Sequence, residues 1–413
     1  MKKLFAGLAI LSAGVLNAQW DTLHTGVTYR LNAIDANDPN QIGVVAVGFN
    51  PSTDSGAYGV LLVSADNGNT WWQQTEGFGP NIELRDVDFT NNQRAWIVGD
   101  SGFVVLRTIW FVTYVSAARL SPYALHCGYP VGDSIFYCAG EHGLAYRTFD
   151  YGFNWDTLST GTTETINDIY FTDAANGWIV GNGGVLSVTT DSGSTWIPVP
   201  QPQFGFTDFN GFAYLDSTGL YPYLVGESGT AQFSIDGGIT WYYASTGTSE
   251  DINSIRFGTA NSGIMVGNNG YILRTENRAF TWSIDPSTVN SDLFGIAYAN
   301  DTMAFICGDN GVVLRSNVDI SSVQGQPISS LSAHVFPNPS AGPLSVNLIL
   351  REVSDVQIAV FDATGQVVQN NYYESVSAGQ NELKIGAEEL SSGLYFMRIS
   401  TDSGEITLPI VRD

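Results

Sequence analysis

Lysine is almost missing from this 413-residue chain, occurring only at Lys2, Lys3 and Lys384. With 16 lysines and arginines against 40 acidic residues, the formal charge is −24. There is no basic surface to release counterions from phosphates, which excludes nucleic-acid binding. Cysteine is scarce as well, at three residues, too few and odd in number for a disulfide-built scaffold. None has a zinc-type spacing. Long amphipathic stretches are missing, and past residue 18 no apolar run approaches the roughly 20 residues that span a bilayer as a helix. What remains is 45 glycines, 10 tryptophans, 12% aromatic and 44% hydrophobic residues, with frequent Thr, Val, Tyr and Ile. That content suits short strands joined by tight turns around real cores, so the expectation is an all-β protein.

Residues 1–18 read as a signal peptide, with Lys2 and Lys3 as the positive end, an apolar stretch over residues 4–16 and small residues before a cut after Ala18. Removing it lowers the charge to −26 and leaves an exported, soluble protein. Cys127 and Cys138 flank a hairpin turn and pair only if their strand register allows it. Cys307, in the apolar run Phe305-Ile306-Cys307, reads as a buried inert thiol.

Internal repetition carries most of the information. An apolar strand ending in Gly-x-x-Gly, followed by a second apolar strand, recurs at Gly99, Gly140, Gly181, Gly226, Gly267 and Gly308, at spacings of 41, 41, 45, 41 and 41. The segment from Gly48 to Gly59 reads as an earlier copy with an insertion, making seven. About eight residues after each glycine pair comes Ser/Thr-x-Asp-x-Gly-x-Thr-Trp. It is complete around Asp66, Gly68 and Trp71, around Asp191, Gly193 and Trp196, and around Asp236, Gly238 and Trp241. The copy with Asp150, Gly152 and Trp155 has Asn154 for the threonine, and the copy ending at Trp282 has Asn277 and Ala279 for Asp and Gly. The copy near Trp110 is truncated.

The physical sense is a hairpin turn whose Asp accepts backbone N–H bonds, whose Gly takes a positive φ and whose Trp packs into the core. Each copy then holds four strands, and a four-stranded unit every 40 to 45 residues is the sequence sign of a propeller. The seventh copy has its third strand at residues 312–315 but no turn after it, whereas Trp20, Gly26 and Leu31 look like a fourth strand and its following loop. The N-terminal strand is therefore expected to complete the last blade and remove the open sheet edge.

These motifs resemble the Asp-box, or BNR-repeat, propellers, most closely those of the photosystem II stability and assembly factor type, over residues 20 to about 318. The resemblance implies a seven-bladed fold and says little of function, since Asp boxes also occur in sialidases, sortilin-like receptors and xyloglucan-degrading enzymes. An exported protein has no reason to act on a photosystem, so that role is not carried over.

The period stops near Ser316, and residues 319–332 form a Ser-, Gln- and Pro-rich linker between a propeller at 19–318 and a unit at 333–413. That unit shows about seven short strands with turn signals, an immunoglobulin-like β-sandwich. Pro337, Asn338 and Pro339, Asp362 with Gly365, and Gly393 with Tyr395 resemble the C-terminal sorting domain of the type IX secretion system of Bacteroidetes. The resemblance implies the secretion machinery as partner and delivery outside the cell or to its surface, the passenger being released or anchored there. The family usually ends on a lysine-rich strand, whereas this chain ends Pro409-Ile410-Val411-Arg412-Asp413.

A sialidase would need an arginine cluster, but the propeller has ten arginines, of which Arg107, Arg147, Arg274 and Arg315 each close a third strand. No Ser-His-Asp or Gly-x-Ser-x-Gly pattern is present. His142, with His126 and Cys127 in the same copy, reads as an exposed turn rather than a metal site. Acidic residues fall in the Gly-x-x-Gly turns, at Asp100, Glu141, Glu227 and Asp309, and in the loops leading into first strands, at Glu76, Glu83, Glu164, Glu250, Asp251 and Asp292. Both sets belong to the face opposite the Asp-box turns, giving a negative rim whose field reaches about 8 Å. The reading is a non-catalytic binding or scaffold module for a protein or glycan ligand, without a cofactor. Calcium is a candidate only where six to eight oxygens converge. A glycoside-active enzyme using two propeller carboxylates is the second reading.

Overall fold

The computed structural model describes residues 20–412 except 38–42, 52–56, 76, 92, 110–112, 201–206, 217–218, 280, 288, 301–302, 317–331, 337–341, 351, 363–365, 387–389 and 402–403. The signal-peptide residues, most of the linker, Glu76, Trp110, Pro337, Asn338, Pro339 and Gly365 thus lie outside the described residues.

Seven four-stranded antiparallel sheets run in chain order. Blade 1 starts with Leu31–Ala36, blade 2 with Leu84–Asn91, blade 3 with Leu125–Val131 and blade 4 with Ile166–Phe171. Blades 5, 6 and 7 start with Phe209–Tyr214, Ile252–Phe257 and Leu293–Asn300. These first strands touch one another around the ring, blade 7 against blade 1 included, and so surround the axis. The outer strand of blade 7 is Trp20–Leu23, paired with Val313–Ser316 in the register Trp20↔Ser316 to Leu23↔Val313. The two ends of the propeller are therefore hydrogen-bonded to each other, and no blade is left with an unpaired seam.

The first glycine of each Gly-x-x-Gly is a close-approach position. A Cβ on Gly99, Gly181 or Gly308 would lie 2.3, 2.1 or 2.2 Å from a carbonyl of the loop entering the same blade. Gly48 meets Arg30 O in the same way at 2.2 Å, which makes blade 1 a true copy despite its insertion.

The Asp-box turn folds identically in four blades. Asp66, Asp150, Asp191 and Asp236 each accept the backbone N–H four residues on at 2.8 to 2.9 Å, and that residue's side chain at 2.6 to 2.7 Å. The preceding hydroxyl (Ser64, Thr148, Thr189, Ser234) donates to the carboxylate and accepts the N–H of the box glycine. In blade 6, Asn277 accepts Thr281 N–H and donates to Thr281 Oγ1, so an amide builds the same turn. The indoles of Trp71, Trp155 and Trp241 donate to the carbonyls of Gly68, Gly152 and Gly238 at 3.0 Å.

The turns also join blades. Trp155 meets Trp96 of blade 2 edge-on, and Trp241 meets Trp178 of blade 4. Arg147 donates to Ser192 O in the next box, and Arg315 donates to Asn67 O in the box of blade 1. Arg147 and Arg315 are thus inter-blade ties.

Cys127 and Cys138 are free. Cys127 packs with Tyr137 and Ile169 toward blade 4, Cys138 with Phe136 and Trp96 toward blade 2, so they occupy opposite sheet faces and do not pair. Cys307 is fully buried beside Val313 and Leu31.

The C-terminal unit has seven strands in a three-stranded sheet (Ser332–Phe336, Leu344–Leu350, Gly379–Ile385) and a four-stranded one (Val367–Val376, Ser354–Asp362, Gly393–Thr401, Gly404–Arg412). Val346, Leu348, Ile358, Val360, Met397 and Ile399 from both sheets share one core, which makes the unit a sandwich. Val367–Val376 is an edge strand, its half-exposed residues alternating along it. Tyr395 is buried and its hydroxyl donates to Ser391 O, while Gly393 sits at φ 151° at the start of its strand.

Candidate functional site: the turn face and the axial cavity

Six Gly-x-x-Gly turns are tied to the loops entering their own blades: Asp100, Glu141, Asn182, Glu227, Asn268 and Asp309 donate N–H to the carbonyls of Glu83, Ala124, Thr165, Asp208, Asp251 and Asp292 at 2.9 to 3.1 Å. Turns and entry loops therefore share one face, but its acids differ in state. Asp100 is bound to Arg85 Nε at 2.6 Å, and the same guanidinium reaches Glu83 at 3.5 Å. Glu141 accepts Ala124 N–H and stands 3.9 Å from His126 Nε2. Asp100 and Glu141 are thus already engaged. Glu227 is exposed, and the neighbouring Asp208 and Asp251 carboxylates raise its pKa. Asp309 makes no ion pair among the described residues. The described arginines of this face, Arg30, Arg85 and Arg119, all belong to blades 1 and 2, so the face is charge-balanced there and acidic over blades 5 to 7.

Each first strand carries a β-bulge at its second residue, where the register slips between the first and third positions. A bulge re-aims the side chain at that point. The seven bulged residues are Asn32, Arg85, His126, Asn167, Asn210, Asn253 and Phe294, and all seven line a cavity of about 140 Å³ on the propeller axis. Asp86, Asp168, Ser254 and Arg256 complete its wall. Asn32, Asn167, Asn210 and Asn253 donate their amides to the carbonyls of Leu84, Phe209, Ile252 and Leu293 in the following blade. Asp86 and Asp168 accept the N–H groups of Gly128 and Phe212, again in the following blade, and Asp35 accepts that of Phe89. Side chains here do what backbone pairing cannot do between blades.

Burial dominates the titration of this cluster. It raises Asp35 to about 6 against the backbone N–H groups of Phe89 and Ala36. It raises Asp86 to about 7, with Asp168 adding repulsion, and pushes Asp88 well above the carboxylate range, with Asp86 and Asp35 adding to it. Arg256 is the cation these groups face. A carboxyl raised in the folded state keeps a proton that the unfolded chain has already lost, so stability falls as pH rises from about 4 through about 7. Bonds from Asn154 to Asp150 and from Thr195 to Asp191 lower those two pKa values, and that contribution is lost only as pH falls below the ordinary carboxylate range. The melting temperature is expected to be higher at pH 5 than at pH 8, with Asp86→Asn losing part of the slope. Scanning calorimetry across that range checks it, and a melting temperature that rises with pH contradicts it.

Sequence reasoning missed this cavity. Its signal was present as the asparagine at the second position of four first strands and the run Asp86-Val87-Asp88, but a polar residue in an inner strand carries no sign of the bulge that aims it. His142 meets the Tyr123 ring in a tilted contact, centroids 4.1 Å apart, while Cys127 is buried, and no cluster of three metal-ligating residues occurs among the described residues.

Residues 334–412 match the family model of the secretion system C-terminal sorting domain. A 55-residue stretch is 42% identical to the photosystem II assembly protein Ycf48 of Thermosynechococcus vestitus, covering 13% of this chain and 16% of that protein. Among solved structures, YCF48 bound to D1 peptide superposes with a TM-score of 0.61 at 19% identity, covering 73% of this chain and 98% of that one. YCF48 from Cyanidioschyzon merolae gives 0.59 at 17%, covering 72% and 98%. No helix among the described residues is long and apolar enough to cross a membrane. The chain is thus an Asp-box β-propeller with the Ycf48 fold, carrying a type IX secretion C-terminal sorting domain that directs it to the cell surface or beyond.

Proposed function

We propose that this exported propeller is a non-catalytic binding module that holds a basic polypeptide segment against its turn face. The observation that carries the reading is the patch of uncompensated carboxylates over blades 5 to 7, Asp208, Glu227, Glu250, Asp251, Asp292 and Asp309, opposite the arginines of blades 1 and 2. Such an asymmetric field attracts and orients a cationic chain. The solved YCF48 propeller of the same fold was captured with a peptide, which supports a peptide as the ligand class.

A two-carboxylate hydrolase is less well supported. The axial cavity, at about 140 Å³, is smaller than the 300 to 1,000 Å³ usual for ligand pockets. A larger groove of about 510 Å³ beside blade 1 has one carboxylate among its lining residues, Glu83, held by Asn32 and Arg85.

The test is fluorescence anisotropy with a labelled lysine-rich decapeptide. Affinity is expected to fall steeply between 50 and 300 mM salt. The pair Glu227→Gln and Asp309→Asn together should weaken binding about tenfold, in line with up to about 1 kcal/mol for each exposed charge pair. Asp100→Asn with Glu141→Gln should cost less, because those carboxylates are already engaged. Salt-independent binding, or equal losses in both pairs, would reject the patch as the site.

A further inference from the structure

Blade 1 is where the repeat breaks. Its second and third strands, Val44–Asn50 and Tyr58–Ser64, pair beyond the first glycine as Phe49↔Gly59 and Asn50↔Tyr58, where the other blades close in a short turn. Insertions in repeat proteins gather on one face, often the binding face. This hairpin rises from the turn face and its base is pinned to the loop entering blade 2. Asn81 N–H donates to Ala57 O at 2.9 Å, Tyr58 bridges to Pro80, and a Cβ on Gly59 would lie 2.7 Å from Ile82 O. Across the hairpin, Asn50 Nδ2 donates to the Tyr58 hydroxyl at 3.0 Å.

Between this base and the loop entering blade 1 lies the groove of about 510 Å³, lined by Tyr29, Phe49 and Pro51 with Thr28, Arg30 and Glu83. Tyr29 and Phe49 are half-buried, so each ring keeps an open surface, and Tyr29 is fixed by packing against the core between blades 7 and 1. The charges of the groove are already disposed of: Glu83 is held by Asn32 and Arg85, and the Arg30 guanidinium lies over the Phe294 ring, 3.7 Å from its centroid. A space with aromatic walls, a guanidinium at its edge and no unengaged carboxylate among its described lining suits a neutral guest with flat apolar faces. The Tyr29 hydroxyl is buried without a hydrogen-bond partner among the described residues, and an N–H on the edge of the guest would supply one. The groove also adjoins the acidic patch. Thr25 Oγ1 donates to Gly311 O at 2.8 Å, and a Cβ on Gly311 would lie 2.2 Å from Val27 O, so the turn that carries Asp309 packs on the loop that carries Tyr29.

We propose that this groove takes one aromatic side chain, tryptophan above all, from the same polypeptide segment whose basic residues lie over blades 5 to 7. The inference rests on the reading of the turn face as a basic-peptide site and names its anchor. A charged patch orients a chain and speeds its capture, whereas a few aromatic anchors seated in pockets carry most of the affinity. At about 510 Å³ the groove lies within the 300 to 1,000 Å³ usual for ligand pockets, room for an indole with the backbone on either side of it.

Fluorescence anisotropy of the full-length protein tests this with labelled lysine-rich decapeptides carrying a single tryptophan at the first, fifth or tenth position, each against its alanine counterpart. An uncharged Gly-Ser decapeptide with one tryptophan is the parallel probe. At least one placement of tryptophan is expected to tighten binding by about tenfold, as burial of an aromatic side chain should. Phe49→Ala is expected to remove that gain. Should that variant fail to fold, Thr28→Trp, at an exposed position, fills the groove with a tethered indole and is expected to remove the gain as well. No gain at any placement, or a gain that survives both substitutions, overturns the proposal. So does saturable binding of maltohexaose, or dimerisation in sedimentation velocity, that Thr28→Trp abolishes while tryptophan brings no gain, since the groove then belongs to a glycan or to a second copy. If the alanine peptides bind with the expected salt dependence and tryptophan adds nothing, the anchor is wrong and the rim reading stands. If the Gly-Ser peptide binds and loses its affinity in Thr28→Trp while the alanine peptides do not bind, the groove is right and the rim reading fails.

Discussion

Asp285→Ala is expected to destabilise the propeller by about 3 to 5 kcal/mol in urea denaturation. Asp285 is 3% exposed and Arg274 is 6% exposed, and the Arg274 Nε donates to Asp285 Oδ2 at 2.7 Å. The same oxygen accepts the indole N–H of Trp20 at 3.1 Å. Removing the carboxylate strands a guanidinium in a nearly dry site and leaves the indole N–H unpaired, and both carry desolvation costs. Trp20 belongs to the strand that closes the ring, and it packs with Ile264, Ile296 and Leu314 of blades 6 and 7. The loss should therefore appear as early release of the N-terminal strand, seen as faster amide exchange at Thr22 and Leu23. The double substitution Arg274→Met with Asp285→Leu is expected to cost less, about 1 to 3 kcal/mol, because it removes both charges together and leaves only the Trp20 indole N–H unpaired. A loss below about 1 kcal/mol for Asp285→Ala would mean that water reaches Arg274.

Trp241→Ala should cost a similar amount, about 3 to 5 kcal/mol, by leaving an indole-sized void between blades 4 and 5. Trp241 is 6% exposed, donates to Gly238 O and meets Trp178 edge-on at a centroid distance of 6.2 Å. Trp196, at 8% exposure against Phe171, should behave alike. Trp72, one residue past the box tryptophan of blade 1, is 51% exposed and provides the contrast, with Trp72→Ala expected to change stability by less than about 0.5 kcal/mol. Equal costs at Trp241 and Trp72 would remove the packing role assigned to the box.

The Asp-box turns were legible because their chemistry is local. Ser234, Asp236, Gly238, Thr240 and Trp241 bond to one another within eight residues, so their spacing alone encodes the turn. Blade 1 was harder to read, since its two glycines are separated by an insertion, yet Gly48 still approaches Arg30 O as its counterparts approach their own loops. The acidic rim was legible as composition but not as charge state. Asp100 and Glu227 occupy equivalent turns, yet Arg85 on an inner strand engages one, while Asp208 and Asp251 crowd the other.

The sequence by itself determined the repeat, the turn chemistry, the ring closure and the sorting domain, because each rests on residues near one another in the chain or on a period that stacking must satisfy. Tertiary structure alone decided which side chains meet at the axis. Asp35, Asp86, Asp88, Asp168 and Arg256 come from four blades and lie up to 221 residues apart in the chain, and their titration follows from shared burial that no local spacing records. It likewise decided that Cys127 and Cys138 stay apart, since adjacent cross-strand positions one residue out of register face opposite sides of a sheet.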